Sequence, residues 1–315
     1  MSNHLGMILR HKGPGGLFEA LWYGARSLVH ARLLGGAPIR KRIYDYEMWL
    51  DPRDRGISRT LLLFGNRELD HKAMLEQVLK PGMRVLDIGA NLGYYVLMER
   101  GLIGPGGRIV AVEPSPSNAA MLRRNLELNR CTNVTLVEGA VSDTNATRTF
   151  HLAAQSNLNT FHPEGSAATD LTGETLAMRT LTVPDLAREH GIPDLIRMDV
   201  EGHEVEVING LLPAVEAGTM APMILFETHL SRYAPEHDLE APLRRLFAQG
   251  YTIPLAASSQ ASGTERVAAR GYRGGEPILT DFHARVIFRD IDPEDGVGFI
   301  CRSGGLRTVL LARTR

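Results

Sequence analysis

Three short segments place carboxylates immediately after apolar runs, where they could meet a ligand. In Val85-Leu86-Asp87-Ile88-Gly89-Ala90-Asn91-Leu92-Gly93 the run ends in an acid and a glycine-rich turn. Glycines let a backbone approach a ligand closely, and a helix opening beyond the turn offers free N–H groups. A dinucleotide fingerprint is spaced G-x-G-x-x-G. Here the spacing is G-x-x-x-G, with Asp87 two residues before the first glycine. A carboxylate there repels a pyrophosphate and suits an ammonium. Glu113 ends the next apolar run, 20 residues after Gly93, where an acid takes the two hydroxyls of a ribose. Ribose, adenine and an ammonium without phosphates describe S-adenosylmethionine. The expected cofactor-binding residues are therefore Asp87, Gly89, Asn91, Gly93 and Glu113. Asp143, after the third run, is the candidate acceptor for the adenine amine.

The second segment, Arg197-Met198-Asp199-Val200-Glu201-Gly202-His203-Glu204, crowds three acids and a histidine at one strand end. Asp199 closes a central strand, where α/β folds bind ligands. Glu201 and Glu204 also read as favourable first-turn helix acids, and His203 as a solvent-exposed residue. The three are assigned to substrate or supporting roles. The third segment, Leu225-Phe226-Glu227-Thr228-His229, puts a histidine two residues beyond an acid. Histidine titrates near neutrality and serves readily as a general base. The candidate catalytic residues are Asp199, His229 and Glu227, in that order. The same three could hold a divalent cation through oxygen and nitrogen, although the spacing does not require one.

Alternating strands and helices must position these groups. Arg84–Ile88, Arg108–Val112, Asn133–Val137, Asp194–Asp199, Met223–Glu227 and Arg285–Phe288 read as short buried strands. Helices are expected over His71–Leu79, Tyr94–Arg100, Pro116 to about Asn129, 203–209 and Leu239–Gln249. Ser115 and Pro116 suit an N-cap and first helical position. This rhythm predicts βαβ units and a parallel sheet. It breaks between Val141 and Val183, where Arg148–Leu152 and Leu176–Val183 suit strands around a polar loop, 153–173. That loop and the stretch 256–276 are expected to form a lid that excludes water. Gly16–Leu34 reads as a helix and Ile43–Leu50 as one strand.

The chain has 315 residues, with 35 basic and 36 acidic side chains. The composition is that of a globular protein. Residues 1–42 carry seven basic residues and one acid, so a basic arm of +6 precedes a body of −7. The near-zero total argues against a nucleic-acid binder. Two cysteines make neither a disulfide framework nor a four-cysteine zinc site, so a reducing, cytoplasmic setting is the default expectation. Neither a membrane span nor a signal-peptide core is evident. The arm, residues 17–42, could lie on a membrane surface through Leu17, Leu21, Trp22, Tyr23 and Leu28. Packing against the catalytic body is the favoured reading.

At these residues the chain resembles the FkbM family of class I S-adenosylmethionine-dependent methyltransferases. The resemblance rests on Leu86 to Tyr94, Val112-Glu113-Pro114, Ala140-Val141-Ser142-Asp143, the Asp199–Glu204 block with Val207-Ile208-Asn209-Gly210, and Glu227. The family usually has lysine where this chain has Arg197, a different hydrogen-bonding shape. It often has a leucine-aspartate pair where this chain reads Val183-Pro184-Asp185-Leu186. The resemblance implies a Rossmann-like α/β fold: a seven-stranded, mostly parallel sheet with helices on both faces and the last strand antiparallel. It implies methyl transfer to a hydroxyl of a sugar, glycan, lipid or polyketide-like metabolite. The expected division is an arm of helix and strand (1–50), a catalytic domain (51–290) and a tail (291–315). Rival readings are an NAD-dependent oxidoreductase, disfavoured by Asp87 and the glycine spacing, and a non-catalytic binding module, disfavoured by the intact acids. DNA methylation is disfavoured because no motif that holds a flipped base is present.

Overall fold

A computed structural model describes residues 2–163 and 171–313. Helix α1 (Ser2–Leu33) loses helical geometry at Gly13, and a hairpin of β1 (Ile39–Arg42) and β2 (Glu47–Leu50) follows. Of the expected strand 43–50 only Glu47–Leu50 is a strand, and its partner Ile39–Arg42 lies just before that stretch. Helices α2 (Ile57–Phe64) and α3 (Leu69–Val78) lead into the alternating body. That body runs β3 (Arg84–Ile88), α4 (Tyr94–Ile103), β4 (Arg108–Glu113), α5 (Pro116–Leu128) and β5 (Val134–Glu138). A small sheet of β6 (Ala140–Val141), β7 (Thr147–Ala153) and β8 (Leu171–Leu181) interrupts it. The rhythm resumes with α6 (Val183–His190), β9 (Leu195–Met198), α7 (Glu204–Glu216), β10 (Met223–Glu227) and α8 (Glu240–Ala248). It ends with β11 (Tyr251–Ser258), α9 (Ala261–Ala268), β12 (Ile278–Thr280), β13 (His283–Arg285), β14 (Ile287–Ile291), α10 (Pro293–Val297) and β15 (Leu306–Arg313).

The central sheet has eight strands in the order β14-β11-β15-β10-β9-β3-β4-β5, one more than expected. Strands β10, β9, β3, β4 and β5 pair in parallel, while β15 runs antiparallel between β10 and β11. This is the mostly parallel, Rossmann-like sheet the resemblance implies. The strand order reverses between β3 and β9, which opens a crevice at their carboxyl ends. Residues 306–313 are a central strand, so the tail is not separate from the catalytic body. The stretch 256–276 is likewise mostly ordered as the end of β11 and as α9, not as a lid loop. Part of the other lid candidate, residues 164–170, lies outside the described residues.

Side chains alternate across each strand with a period of two. Leu86 and Ile88, Ile196 and Met198, Ile224 and Phe226, and Val309 and Leu311 pack with α7 and α8 on one face. Val85, Leu195, Leu225 and Leu310 pack with α2, α3 and α4 on the other. The same alternation puts Asp87, Arg197 and Glu227 on the α2–α4 face, at the crevice end.

The arm packs on the body. Glu19 pairs with the buried Lys41, whose ammonium also lies 4.3 Å from the Tyr23 ring centre and donates to the Leu62 carbonyl. Asn125 of α5 and Asn129 at its C-cap hydrogen-bond the backbone of β2. Phe18, Leu21, Trp22, Leu28 and Val29 stay exposed along the rest of α1. No helix among the described residues is long and apolar enough to cross a membrane. Because β15 joins β10 to β11, Leu310→Ala, at a position 3 % exposed, should cost about 2–5 kcal/mol in urea unfolding.

Candidate active site

At the switch point the two backbones meet too closely for a side chain. Gly89 has φ +80°, and a Cβ on it would lie 2.2 Å from the Asp199 carbonyl oxygen. Gly93 also has a positive φ, and a Cβ there would press on Leu122. Gly93 thus serves the packing of α4 on α5 and does not line the crevice.

A crevice opens beside Gly89, with about 510 Å³ of space between its walls, open solvent included. Its apolar wall includes Val112, Pro114, Ala140, Val141, Phe150 and Phe161, and its polar wall Asn91, Glu113, Asn118 and Asp199. Ser156, Asn157 and Asn159 of the expected lid loop also line it. Glu113 is the anchor at the end of β4. It accepts from the backbone N–H of Asn91 (2.7 Å), the backbone N–H of Ser115 (2.9 Å) and the Asn118 amide (3.1 Å). A carboxylate has about four lone-pair sites, so one remains for a ligand hydroxyl. That matches the donor a ribose would offer, and S-adenosylmethionine fits this arrangement.

Two expected cofactor contacts are elsewhere. Asp87 is fully buried and accepts from Arg197 Nη1 at 3.1 Å, so it faces a guanidinium and not a ligand ammonium. Burial lifts its pKa, with Arg197 pulling the other way. Asp143 does not line the cavity; its carboxylate takes Arg148, Ser142 and Thr144. The strand-end position was legible for both, but the competing arginine was not.

Arg197 ties the site together. It is 2 % exposed, donates to Asp87, to the Gly89 carbonyl (3.4 Å) and to Asp199 (3.3 Å), and lies 4.1 Å from the Tyr95 ring centre. A second, smaller crevice, lined by Arg67, Tyr94, Tyr95, Arg197 and Ile57, shares Gly89, Asn91, Asn157 and Asp199 with the first.

The catalytic candidates converge around His229. Its Nδ1 is 2.9 Å from Glu204, and its Nε2 is 3.6 Å from Asp199, 3.8 Å from Glu201 and 3.9 Å from Glu227. Burial alone would lower the histidine's pKa, but Glu204, Glu201 and Glu227 hold it well above its ordinary value. These acids favour the imidazolium form over the neutral base expected of His229. Glu227 is pushed up to about 8 by burial, against Arg307, whose guanidinium is 2.5 Å away. Asp199 has the most open side chain of the four acids, 23 % exposed against 15 % or less. The ligating atoms of Asp199, Glu201 and His229 lie within 4.8 Å of one another, close enough for a cation. His203, assigned to a substrate or supporting role, is 2 % exposed and lines the cofactor cavity, so the alternative of a solvent-exposed histidine does not hold. Arg67, Tyr95 and Arg307 reach the site from outside any acid-bearing motif, so spacing did not reveal them.

Two outcomes test these assignments. Arg197→Met leaves Asp87 buried without its cation and should cost about 3–5 kcal/mol in urea unfolding. Adding Asp87→Asn to that variant should recover part of the loss. Burial lifts the Glu113 pKa from 4.5 to about 7, despite hydrogen bonds from Ser115, Asn91 and Asn118. Between those values the folded chain holds the proton that the unfolded chain releases, so Glu113 lowers stability as pH rises. Relative to Glu113→Gln, the ligand-free protein should lose on the order of 3 kcal/mol from pH 4.5 to 7.5, read from urea curves.

Comparison with known proteins agrees with this geometry. Residues 87–253, just over half of the chain, match the family model described as the Methyltransferase FkbM domain. The chain is 28 % identical over 229 residues to the 31-O-demethyl-FK506 methyltransferase FkbM of Streptomyces tacrolimicus, covering 62 % of this chain and 84 % of that protein. It is 41 % identical over 61 residues to a protein-L-isoaspartate O-methyltransferase of Methanothrix thermoacetophila, covering 19 % of this chain and only 29 % of that protein. Among solved structures, M. jannaschii TYW2 in complex with AdoMet aligns at TM-score 0.40 and 13 % identity, covering 89 % of this chain and 88 % of that one. The FkbM methyltransferase of Methylobacillus flagellatus KT aligns at TM-score 0.36 and 15 % identity, covering 73 % and 54 %. The chain belongs to the FkbM family of S-adenosylmethionine-dependent methyltransferases.

Proposed function

We propose that the chain methylates a hydroxyl oxygen of a sugar, glycan, lipid or polyketide-like metabolite. The observation that carries this reading is the place of Asp199, where the cofactor cavity meets the cavity lined by Tyr94, Tyr95 and Arg67. The relative from Streptomyces tacrolimicus bears a name that describes methylation of 31-O-demethyl-FK506, an oxygen acceptor.

S-adenosylmethionine, when bound, supplies a methyl group already activated on sulfur. Asn91 and Glu113 hold the ribose end, and Val112, Val141, Phe150 and Phe161 offer an apolar seat for the adenine. The chain's remaining task is to align the acceptor, and such positioning can supply roughly 7–11 kcal/mol. Asp199 takes the acceptor's hydroxyl proton. Arg197 fixes the Asp199 carboxylate, and the His229 imidazolium balances the neighbouring acids Glu201, Glu204 and Glu227. The two cysteines are free thiols, which supports the cytoplasmic reading. The ion pair and hydrogen bonds of the arm support a packing role over a lipid-surface role.

Wild-type protein should bind S-adenosylhomocysteine in calorimetry, whereas Glu113→Ala should lose most of that affinity. Failure of the wild type to bind, or binding of NAD in its place, would remove the reading. Mass spectrometry of metabolites from wild-type and deletion cells should find the acceptor by its missing methyl group. On that acceptor, Asp199→Asn should lower kcat by ~10²–10⁴-fold with S-adenosylhomocysteine binding retained.

A further inference from the structure

Beside the cofactor cavity, three histidines and a glutamate meet from three separate segments. His162 follows β7, His203 and Glu206 open α7, and His237 precedes α8. His162 Nε2 is 3.1 Å from His203 Nδ1. Glu206 Oε2 is 3.2 Å from His203 Nδ1 and 3.6 Å from His162 Nε2. Zinc bonds of about 2.0–2.2 Å in tetrahedral geometry place neighbouring ligand atoms roughly 3.3–3.6 Å apart. The observed separations of 3.1, 3.2 and 3.6 Å lie at or just below that spacing.

The tautomer of His203 points the same way. The Ser142 hydroxyl donates to Asp143 at 3.2 Å. The 3.0 Å contact of His203 Nε2 with that same oxygen then has the ring nitrogen donating. His203 Nδ1 is left with a lone pair, and it faces the Glu206 carboxylate. Without a metal, that lone pair accepts from the His162 Nε2–H 3.1 Å away, a place a bound cation can take over. Outer partners are in place too. Ser142 orients His203, while His237 reaches Glu206 Oε2 with Nε2 at 3.1 Å and faces the Arg232 carbonyl with Nδ1 at 3.4 Å. Partners of this kind fix the rings of metal-binding histidines.

We propose that His162, His203 and Glu206 bind a divalent transition metal of the zinc class, with His237 bracing the glutamate. Two imidazoles and a carboxylate suit zinc better than magnesium or calcium, and three protein ligands leave one position open. The site is distinct from the Asp199, Glu201 and His229 cluster and does not depend on the methyl-transfer reading. His162 rides on the loop that brings Ser156, Asn157, Asn159 and Phe161 to the cofactor cavity. A bound ion fastens that loop to the start of α7.

The test uses the full chain, stripped with a chelator, dialysed against Zn²⁺ and analysed by elemental mass spectrometry. The wild type should hold about one zinc per chain and gain thermal stability from it. Glu206→Gln and His162→Ala should bind at least tenfold more weakly and show no zinc-dependent rise in Tm. His162 lies on a partly exposed loop, so its variant reports even where Glu206→Gln folds poorly. Asp199→Asn and the distant His190→Ala should keep the metal. Sub-stoichiometric uptake by the wild type overturns the proposal. So does zinc retained in both Glu206→Gln and His162→Ala, or lost in Asp199→Asn.

Discussion

The buried guanidinium of Arg197 is the constraint on which the site depends. A cation this deep in the protein is tolerable only if anions and hydrogen-bond acceptors surround it. Asp87 from β3, Asp199 after β9 and the Gly89 carbonyl supply them, and the Tyr95 ring covers one face. Each partner thereby becomes fixed relative to the others. The strand end that carries Asp199 is locked to the turn that carries the cofactor loop. The crevice is thus held in shape by charge on the α2–α4 face and by apolar packing on the α7–α8 face.

That arrangement gives the acids of the body different jobs. Asp87 neutralises an internal cation. Glu113 is tied by backbone donors and keeps one acceptor site for a ligand. Glu204 and Glu227 hold His229 and Arg307 in place. Asp199 alone among these faces both cavities. Chemically similar side chains are sorted by burial and by which partner each has already met.

Much of the framework was legible in the sequence. The bounds of β3 and β10 and the start of α5 follow directly from short apolar runs and from Ser115-Pro116. The glycine turn and Glu113 announce the cofactor side because each depends on a local backbone feature. Long-range pairing was less legible. Nothing local in Leu306–Arg313 says that it inserts between β10 and β11. The aromatic-rich run 43–50 read as one strand, whereas its first half is a turn around Tyr44, at φ +48°, that leads back to β1. Asp87 was misread because its partner lies 110 residues away. The burial of His203 was not legible, because an isolated histidine in a polar segment carries no mark of it. The convergence of His162, His203, Glu206 and His237 depends on two loops and the start of α7 meeting in space.

The position of β15 also bears on how the chain is made. Synthesis runs from the amino end, so β10 and β11 leave the ribosome well before the strand that belongs between them. During that interval two sheet edges lie open, each with unpaired backbone groups that invite pairing with another chain. The neighbouring parallel strands can assemble early, but closure of the sheet waits for residues 306–313. Chaperone demand in the cell, and aggregation of nascent chains stalled just short of that point, are the natural costs of placing a late strand in the middle.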